Sequence, residues 1–159
     1  MFQLPLLEQL QEQSIVYNQL KGNEHKKNLG QFFTDINIAN FMVSLTNMNK
    51  EQQQINVLDC GSGNGILSIS LLQRLDSLNF SFNVKLHLYE IDQDIIDSLK
   101  SNIEILQSHL KNINLSFSIY QENYILKDIN EKFDFIISNP PYFKLNKASD
   151  EAVKMNYVV

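Results

Sequence analysis

The apolar positions at the start of the chain recur with the spacing of a helix. A proline at position 5 suits a first helical turn, because its missing N–H would be unpaired there anyway. We predict a helix over residues 5–20 and a loop over the charged, turn-rich residues 21–30. The residues expected on the buried face of this helix are Leu6, Leu7, Leu10, Tyr17 and Leu20.

A second helix is predicted after a short turn that either Thr34 or Asp35 caps. The apolar spacing within it predicts an inward face, and the residues expected there are Ile38, Phe41, Met42 and Leu45.

Short apolar segments alternate with helical patterns from residue 55 onward. The alternation predicts an α/β fold, a doubly wound and mostly parallel sheet with right-handed crossovers. In such a sheet, ligands bind beyond the carboxyl ends of the strands. Asp92 is the expected N-cap of the later helix. The predicted strands are 55–59, 84–91, 114–121 and 133–138, and the predicted helices between them are 66–77 and 92–110.

A glycine-rich turn, DCGSGNG, joins the first predicted strand to a helix. Glycine permits a sharp turn and a close ligand, and the helix N-terminus offers unpaired N–H groups. The spacing of Gly61, Gly63 and Gly65 differs from the dinucleotide fingerprint, whose third glycine comes one position later. Asp59 would repel a pyrophosphate but attract an ammonium group. The turn therefore favours S-adenosylmethionine, which carries an ammonium, a sulfonium and a carboxylate.

Later strand ends supply further candidate cofactor contacts. Glu90 ends the second strand, where a carboxylate can accept both ribose hydroxyls of a nucleoside. We assign Ile91, the next residue, and Asn139, after the fourth strand, to the same cofactor site. Asn123 follows the third strand and is expected to hold an adenine amino group with its side-chain carbonyl, although a polar loop residue explains it nearly as well.

The fourth strand ends abruptly in Asn139-Pro140-Pro141-Tyr142. An amine on a conjugated ring is a poor nucleophile, because its lone pair is delocalised. Acceptors aimed at its N–H groups turn the lone pair outward, and the Asn139 side-chain and Pro140 backbone carbonyls are two such acceptors. Proline holds them in place, and Tyr142 offers a face for stacking. This corner is the candidate catalytic site.

The segments DCGSGNG, YEID and SNPPYF, in this order, resemble class I S-adenosylmethionine-dependent methyltransferases. Residues 29–45 are similar to the segment before the glycine turn in gamma-class adenine-N6 DNA methyltransferases of restriction–modification systems. The resemblance implies a Rossmann-like fold in which Phe33 and Thr34 close over the cofactor. It also implies that the intact enzyme flips adenine from the duplex, stacks it on Tyr142 and holds N6 with Asn139 and Pro140.

The chain departs from that family in two respects. Asn123 stands where the family usually has aspartate, and four strands are predicted where the family has seven. We therefore expect an incomplete domain, with the later strands and the target-recognition domain absent. Residues 1–28 would form an N-terminal helical segment and residues 29–159 the cofactor-binding part. The fourth strand would then lie at or beside a sheet edge, where we expect self-association.

Composition limits what this chain can bind. The net charge is −5 and Arg74 is the only arginine, so we expect double-stranded DNA to be bound through regions absent from this chain. No apolar run reaches the length of a membrane span, which favours a cytoplasmic protein. Cys60 is the only cysteine and the three histidines lie far apart, so we expect no metal.

Two other functions remain open. Ribosomal RNA adenine dimethyltransferases resemble residues 29–45, but they usually have a different residue where Pro140 stands. A protein-glutamine or RNA-nitrogen methyltransferase would also act on a nitrogen whose lone pair is delocalised. Residues 29–45 disfavour the glutamine version. The isolated chain could also bind cofactor without turning it over. The sequence does not indicate a DNA target or a linked nuclease.

Overall fold

The computed structural model describes residues 3–29, 33–47, 51–128, 130–140 and 149–156, and for 3–5 and 21–29 only the helical backbone. The elements alternate as the sequence predicts. In chain order they are α1 (Gln3–Leu29), α2 (Ile36–Ser44), β1 (Gln54–Cys60), α3 (Ile66–Ser77), β2 (Phe82–Tyr89), α4 (Gln93–Gln107), β3 (Ile113–Tyr120), a 3₁₀ turn (Tyr124–Leu126), β4 (Phe135–Ile137) and α5 (Asp150–Asn156).

The four strands form one parallel sheet in the order β3-β2-β1-β4. This confirms the predicted α/β class, and α3 coincides with the predicted helix 66–77. Helix α3 is buried along most of its length, because its apolar side chains pack into the main core together with α4 and the sheet. Fully buried members of this core are Val57, Ile69, Leu72, Leu86 and Leu99. The core therefore holds the carboxyl ends of β1, β2 and β4 in register.

Helix α1 is longer than the sequence predicts. The loop expected over residues 21–30 is wrong for 21–29, which continue the helix. Gly22 is the one strong helix breaker there, and the surrounding lysine and glutamate residues favour a helix. The predicted buried face is correct for Leu7 and Leu10, whereas Leu20 is exposed.

The predicted inward face of α2 is largely wrong. Ala39 and Val43 are buried, whereas three of the four expected residues point outward: Ile38, Phe41 and Leu45. The helix is short and apolar on most sides, so its pattern does not identify one face. Packing against α3 selects the two smaller side chains, which permit a close approach. Asp35, not Thr34, is the N-cap, and its Oδ1 accepts from the Asn37 N–H at 2.8 Å.

Within the described residues, β4 lies at one edge of the sheet, beside β1. The side chain of Ile136 on this strand is 64% exposed. Self-association through this edge stays a prediction. In the described part of the chain, no helix combines the length and apolar character that crossing a membrane requires.

Candidate active site

The glycine turn and the proline corner open at the same end of the sheet. Asp59 on β1 is paired with Ile137 on β4, so both strands end side by side. The Ser138 hydroxyl donates to the Cys60 carbonyl at 2.8 Å. The Asn139 amide nitrogen donates to the Thr34 hydroxyl at 3.0 Å. Segments more than a hundred residues apart in sequence are thus joined directly at the predicted site.

The glycine turn is built on left-handed backbone. Gly61, Gly63 and Gly65 have φ angles of +86°, +53° and +91°. A Cβ on Gly65 would lie 3.0 Å from a methyl of Leu99, so a side chain there meets both backbone strain and contact. The N–H groups of the turn are less available than we expected. Those of Gly61 and Ser62 donate to the Tyr89 carbonyl at 2.8 and 2.9 Å.

Asp59 is completely buried at the end of β1. Its Oδ2 accepts from the Ser68 hydroxyl at 2.6 Å, and its Oδ1 has no hydrogen-bond partner among the described residues. Burial raises the pKa of this carboxyl to about 7, because water no longer stabilises its charge, and the nearby Glu90 charge adds to the effect. An unpaired, buried acceptor is a group that a cationic ligand would stabilise.

Glu90 follows β2 and lies beside the glycine turn. Its Oε2 accepts from the Gly63 N–H at 2.7 Å, and its Oε1 accepts from the N–H groups of Ile91 and Asp92 at 2.8 and 2.9 Å. Burial raises the pKa of Glu90, although these three backbone hydrogen bonds oppose it. The carboxylate is therefore held in one orientation beside the glycine turn. Ile91 is half-exposed next to it.

Phe33 and Thr34 both contact residues of the predicted site. The Phe33 ring packs over the turn, only 3.3 Å from where a Cβ on Gly63 would stand. The edge of the Tyr17 ring meets Phe33 at 5.6 Å between centroids. Thr34 is buried and bound to Asn139, so it connects the cofactor segment to the proline corner.

Asn123 lies at the end of β3 with its side chain already engaged. Its Oδ1, the atom we expected to hold an adenine amino group, caps the 3₁₀ turn by accepting from the Ile125 N–H at 3.1 Å. Its Nδ2 donates to Glu151 of α5 at 2.9 Å. A carboxylate 28 residues later in the sequence thus stands beside the Asn123 amide.

Asn139 and Pro140 follow β4 after Ser138, and Asn139 contacts Thr34 of the site. The Asn139 amide nitrogen donates to Thr34. The Oδ1 of the same amide is the atom that the proposed role requires as an acceptor. Pro140 is exposed. Pro141 and Tyr142 lie outside the described residues, so their catalytic roles stay predictions.

Sequence reasoning missed several residues that shape the site. Ser68 could have been found, because a serine on the buried side of the helix after Asp59 needs a polar partner. Tyr17 and Glu151 gave no such signal, since their partners lie far away in sequence. Burial raises the pKa of the Cys60 thiol to about 11, which argues against a nucleophilic role. Among the described residues, no group of three or more ligating side chains could hold a metal ion.

The residues present fit S-adenosylmethionine. The orphaned Asp59 oxygen suits an ammonium group, and the three left-handed glycines add no side chains of their own to the turn. Glu90 retains lone pairs on both oxygens for ribose hydroxyls. The site assignments themselves stay predictions.

The fold and the arrangement at the strand ends define a class I S-adenosylmethionine-dependent methyltransferase architecture. Residues 34–158 match the family described as Methyltransferase small domain, and the chain belongs to that family.

Curated relatives include both DNA and RNA enzymes. The type II methyltransferase M.BsuBI of Bacillus subtilis is 32% identical over 155 residues, covering 91% of this chain and 30% of the relative. The type II methyltransferase M.HincII of Haemophilus influenzae is 36% identical, covering 80% and 20%. Ribosomal RNA small subunit methyltransferase A of Mycoplasma capricolum is 36% identical, covering 74% and 40%. The chain therefore spans less than half the length of these relatives.

Proposed function

We propose that the chain is the cofactor-binding part of a DNA methyltransferase that transfers a methyl group from S-adenosylmethionine to adenine N6. The observation that carries the proposal is the hydrogen bond from Asn139 to Thr34, which joins the proline corner to the cofactor segment. Similarity to two type II methyltransferases over most of the chain supports DNA as the substrate class.

Each site residue has a specific role in this proposal. Glu90 binds the ribose hydroxyls, and Asp59 lies beneath the turn as the counter-charge for the cofactor ammonium. Phe33 covers the cofactor, and Thr34 holds the amide of Asn139 in place. When bound, the cofactor supplies a methyl group on a sulfonium, which is an excellent leaving group.

The proline corner prepares the nitrogen for attack. The Asn139 side-chain carbonyl and the Pro140 backbone carbonyl accept hydrogen bonds from the adenine amino group. These bonds draw its N–H groups out of the ring plane and expose the lone pair. A cofactor bound beside this corner would supply the methyl group and keep the electron pair of the broken carbon–sulfur bond on sulfur, and the methylated nitrogen would release its proton to water. Two carbonyl acceptors are sufficient because no strong base is needed.

The DNA contacts lie largely elsewhere in this proposal. Arg74 is the only arginine of the chain, and its Nη2 donates to the Ser44 carbonyl at the end of α2 at 3.3 Å. It therefore serves the packing of α2 on α3. With a net charge of −5, strong phosphate binding requires additional basic surface.

The test measures binding and transfer separately. Calorimetry of the chain with S-adenosylhomocysteine should give a 1:1 complex that Glu90→Ala weakens, while the exposed-residue control Asp97→Ala leaves it unchanged. Transfer of labelled methyl to methylation-free genomic DNA is then assayed with the chain and with the longest product of its gene. Absence of cofactor binding would refute the proposal.

An RNA-nitrogen methyltransferase is the second candidate, supported by the 36% identity to a ribosomal RNA methyltransferase. The same assay with small-subunit ribosomal RNA in place of DNA distinguishes the two. Label in RNA but not in DNA would favour this candidate. Cofactor binding without transfer to DNA, RNA or protein would indicate a non-catalytic binding module.

A further inference from the structure

Helix α1 contacts the glycine turn, Phe33 and Asp92, although it precedes the family domain that begins at residue 34. At the glycine turn, Asn64 donates to the Leu10 carbonyl at 2.7 Å and to the Ser14 hydroxyl at 2.8 Å. At the start of α2, the Gln11 side chain accepts from the Ile36 N–H at 3.1 Å. The helix is therefore tied to the site by directional polar contacts.

These polar contacts matter for the position of α1, because α1 does not pack tightly on α4. A cavity of about 530 Å³ is lined by residues of both helices, including Gln13 and Val16 of α1 and Ile95 and Ser98 of α4. The polar groups at the glycine turn are buried, since Ser14 and Asn64 are 6% and 3% exposed. Buried polar pairs fix one register, because any slip leaves groups unpaired.

Tyr17 contacts two parts of the site. Its hydroxyl donates to Oδ2 of Asp92, and its ring packs edge-on against Phe33. Asp92 is the N-cap of α4, and its backbone N–H donates to Oε1 of Glu90. One side chain thus braces both the aromatic cover of the site and the turn that orients its ribose-binding carboxylate.

We propose that Tyr17 is a positioning residue for the cofactor, which holds Glu90 and Phe33 in their binding geometry through Asp92 and through ring packing. The inference rests on the proposed function, because it assumes that Glu90 receives the ribose. It assigns to α1 a role in cofactor affinity that lies outside the family domain.

The test is a double-mutant cycle on the affinity of the chain for S-adenosylhomocysteine, measured by calorimetry. Tyr17→Phe keeps the ring and removes the hydroxyl, and it should weaken binding about fivefold, as expected for one net hydrogen bond. Glu90→Gln should weaken binding about 20-fold, as expected for hydrogen bonds to a charged group. The double variant should bind about as weakly as Glu90→Gln, because Tyr17 acts through Glu90.

The matched control is Gln13→Ala on the same helix. Gln13 accepts a hydrogen bond from Asn102 at 3.2 Å and lines the same cavity, away from Glu90. This variant should retain wild-type affinity, whereas a general loosening of α1 would weaken binding in both variants. Thermal unfolding without ligand verifies that each variant is folded, and Asp92→Asn tests the other end of the bond should Tyr17→Phe fail to fold.

The outcomes separate the two claims. Equal affinity of wild type and Tyr17→Phe, or losses that simply multiply in the double variant, would overturn the role of Tyr17 and leave the proposed function standing. No binding by the wild-type chain would overturn the proposed function and this inference with it.

Discussion

We expect the wild-type chain to lose stability between pH 5 and pH 8, and replacing Asp59 with asparagine should remove much of that loss. The wild-type carboxyl is completely buried, and its pKa is raised from 3.8 to about 7. Between those two values the folded state holds a proton that the unfolded state has released. Stability from this group is therefore fully present below the unfolded pKa and is lost as pH rises through the folded one.

The magnitude follows from the same pair of values. Each pKa unit corresponds to about 1.36 kcal/mol, so complete ionisation of the buried group costs roughly 4 kcal/mol. Most of this cost, about 3 kcal/mol, falls between pH 5 and pH 8. Because asparagine does not ionise, Asp59→Asn lacks this contribution. Only other groups such as Glu90 then make the free energy of unfolding depend on pH.

The assay is urea unfolding of wild type and Asp59→Asn at several pH values without ligand. The exposed Asp97→Asn is the matched control and should follow the wild-type curve. Parallel curves for wild type and Asp59→Asn over this range would refute the burial argument.

Ligand binding adds an independent readout for the same residue. A cofactor ammonium near Asp59 would favour the charged carboxylate and lower its pKa. Binding near pH 6 should therefore release a proton and strengthen as pH rises, and Asp59→Asn should abolish that dependence. Calorimetry in buffers of different ionisation enthalpy measures the released proton.

Two further perturbations test the local geometry. The Asn123 amide lies 2.9 Å from Glu151, so Asn123→Asp would place two carboxylates side by side. Their repulsion should weaken binding of S-adenosylhomocysteine about tenfold, and adding Glu151→Gln should restore it. Unchanged affinity would contradict the contact. Gly65→Ala and the control Gly61→Ala share the strain of a left-handed φ, but only Gly65→Ala adds a close contact with Leu99. It should therefore lower the free energy of unfolding by about 1–3 kcal/mol more than the control. Equal losses in urea unfolding would show that Leu99 moves aside easily.

The sequence predicted features that depend on local pattern. Helix α3 lies between a glycine turn and a polar turn, so both of its ends were marked. The ends of parallel strands meet at one edge, so Asp59, Glu90 and Asn139 could be placed at one site before their contacts were known. The parallel topology and the turn residues at the ends of the elements made this part of the prediction possible.

The remaining features depend on contacts that no local pattern encodes. The face of α2 was wrong because several sides of a short apolar helix were equally suitable, and packing on α3 decided between them. The bond from Tyr17 to Asp92 spans 75 residues, and that from Asn123 to Glu151 spans 28. Such pairs follow from how whole elements dock, so propensity and periodicity could not predict them.

The position of α1 also has a consequence for synthesis. Its partners Asn64, Asp92 and Asn102 all follow it in the chain, so α1 is made well before the elements on which it docks. At about 5–20 residues per second, roughly 4–15 s separate the translation of Tyr17 from that of Asp92. During that interval the side chains of Leu7 and Leu10 have no core to enter, and nascent chains at this stage should be suitable clients for a ribosome-associated chaperone.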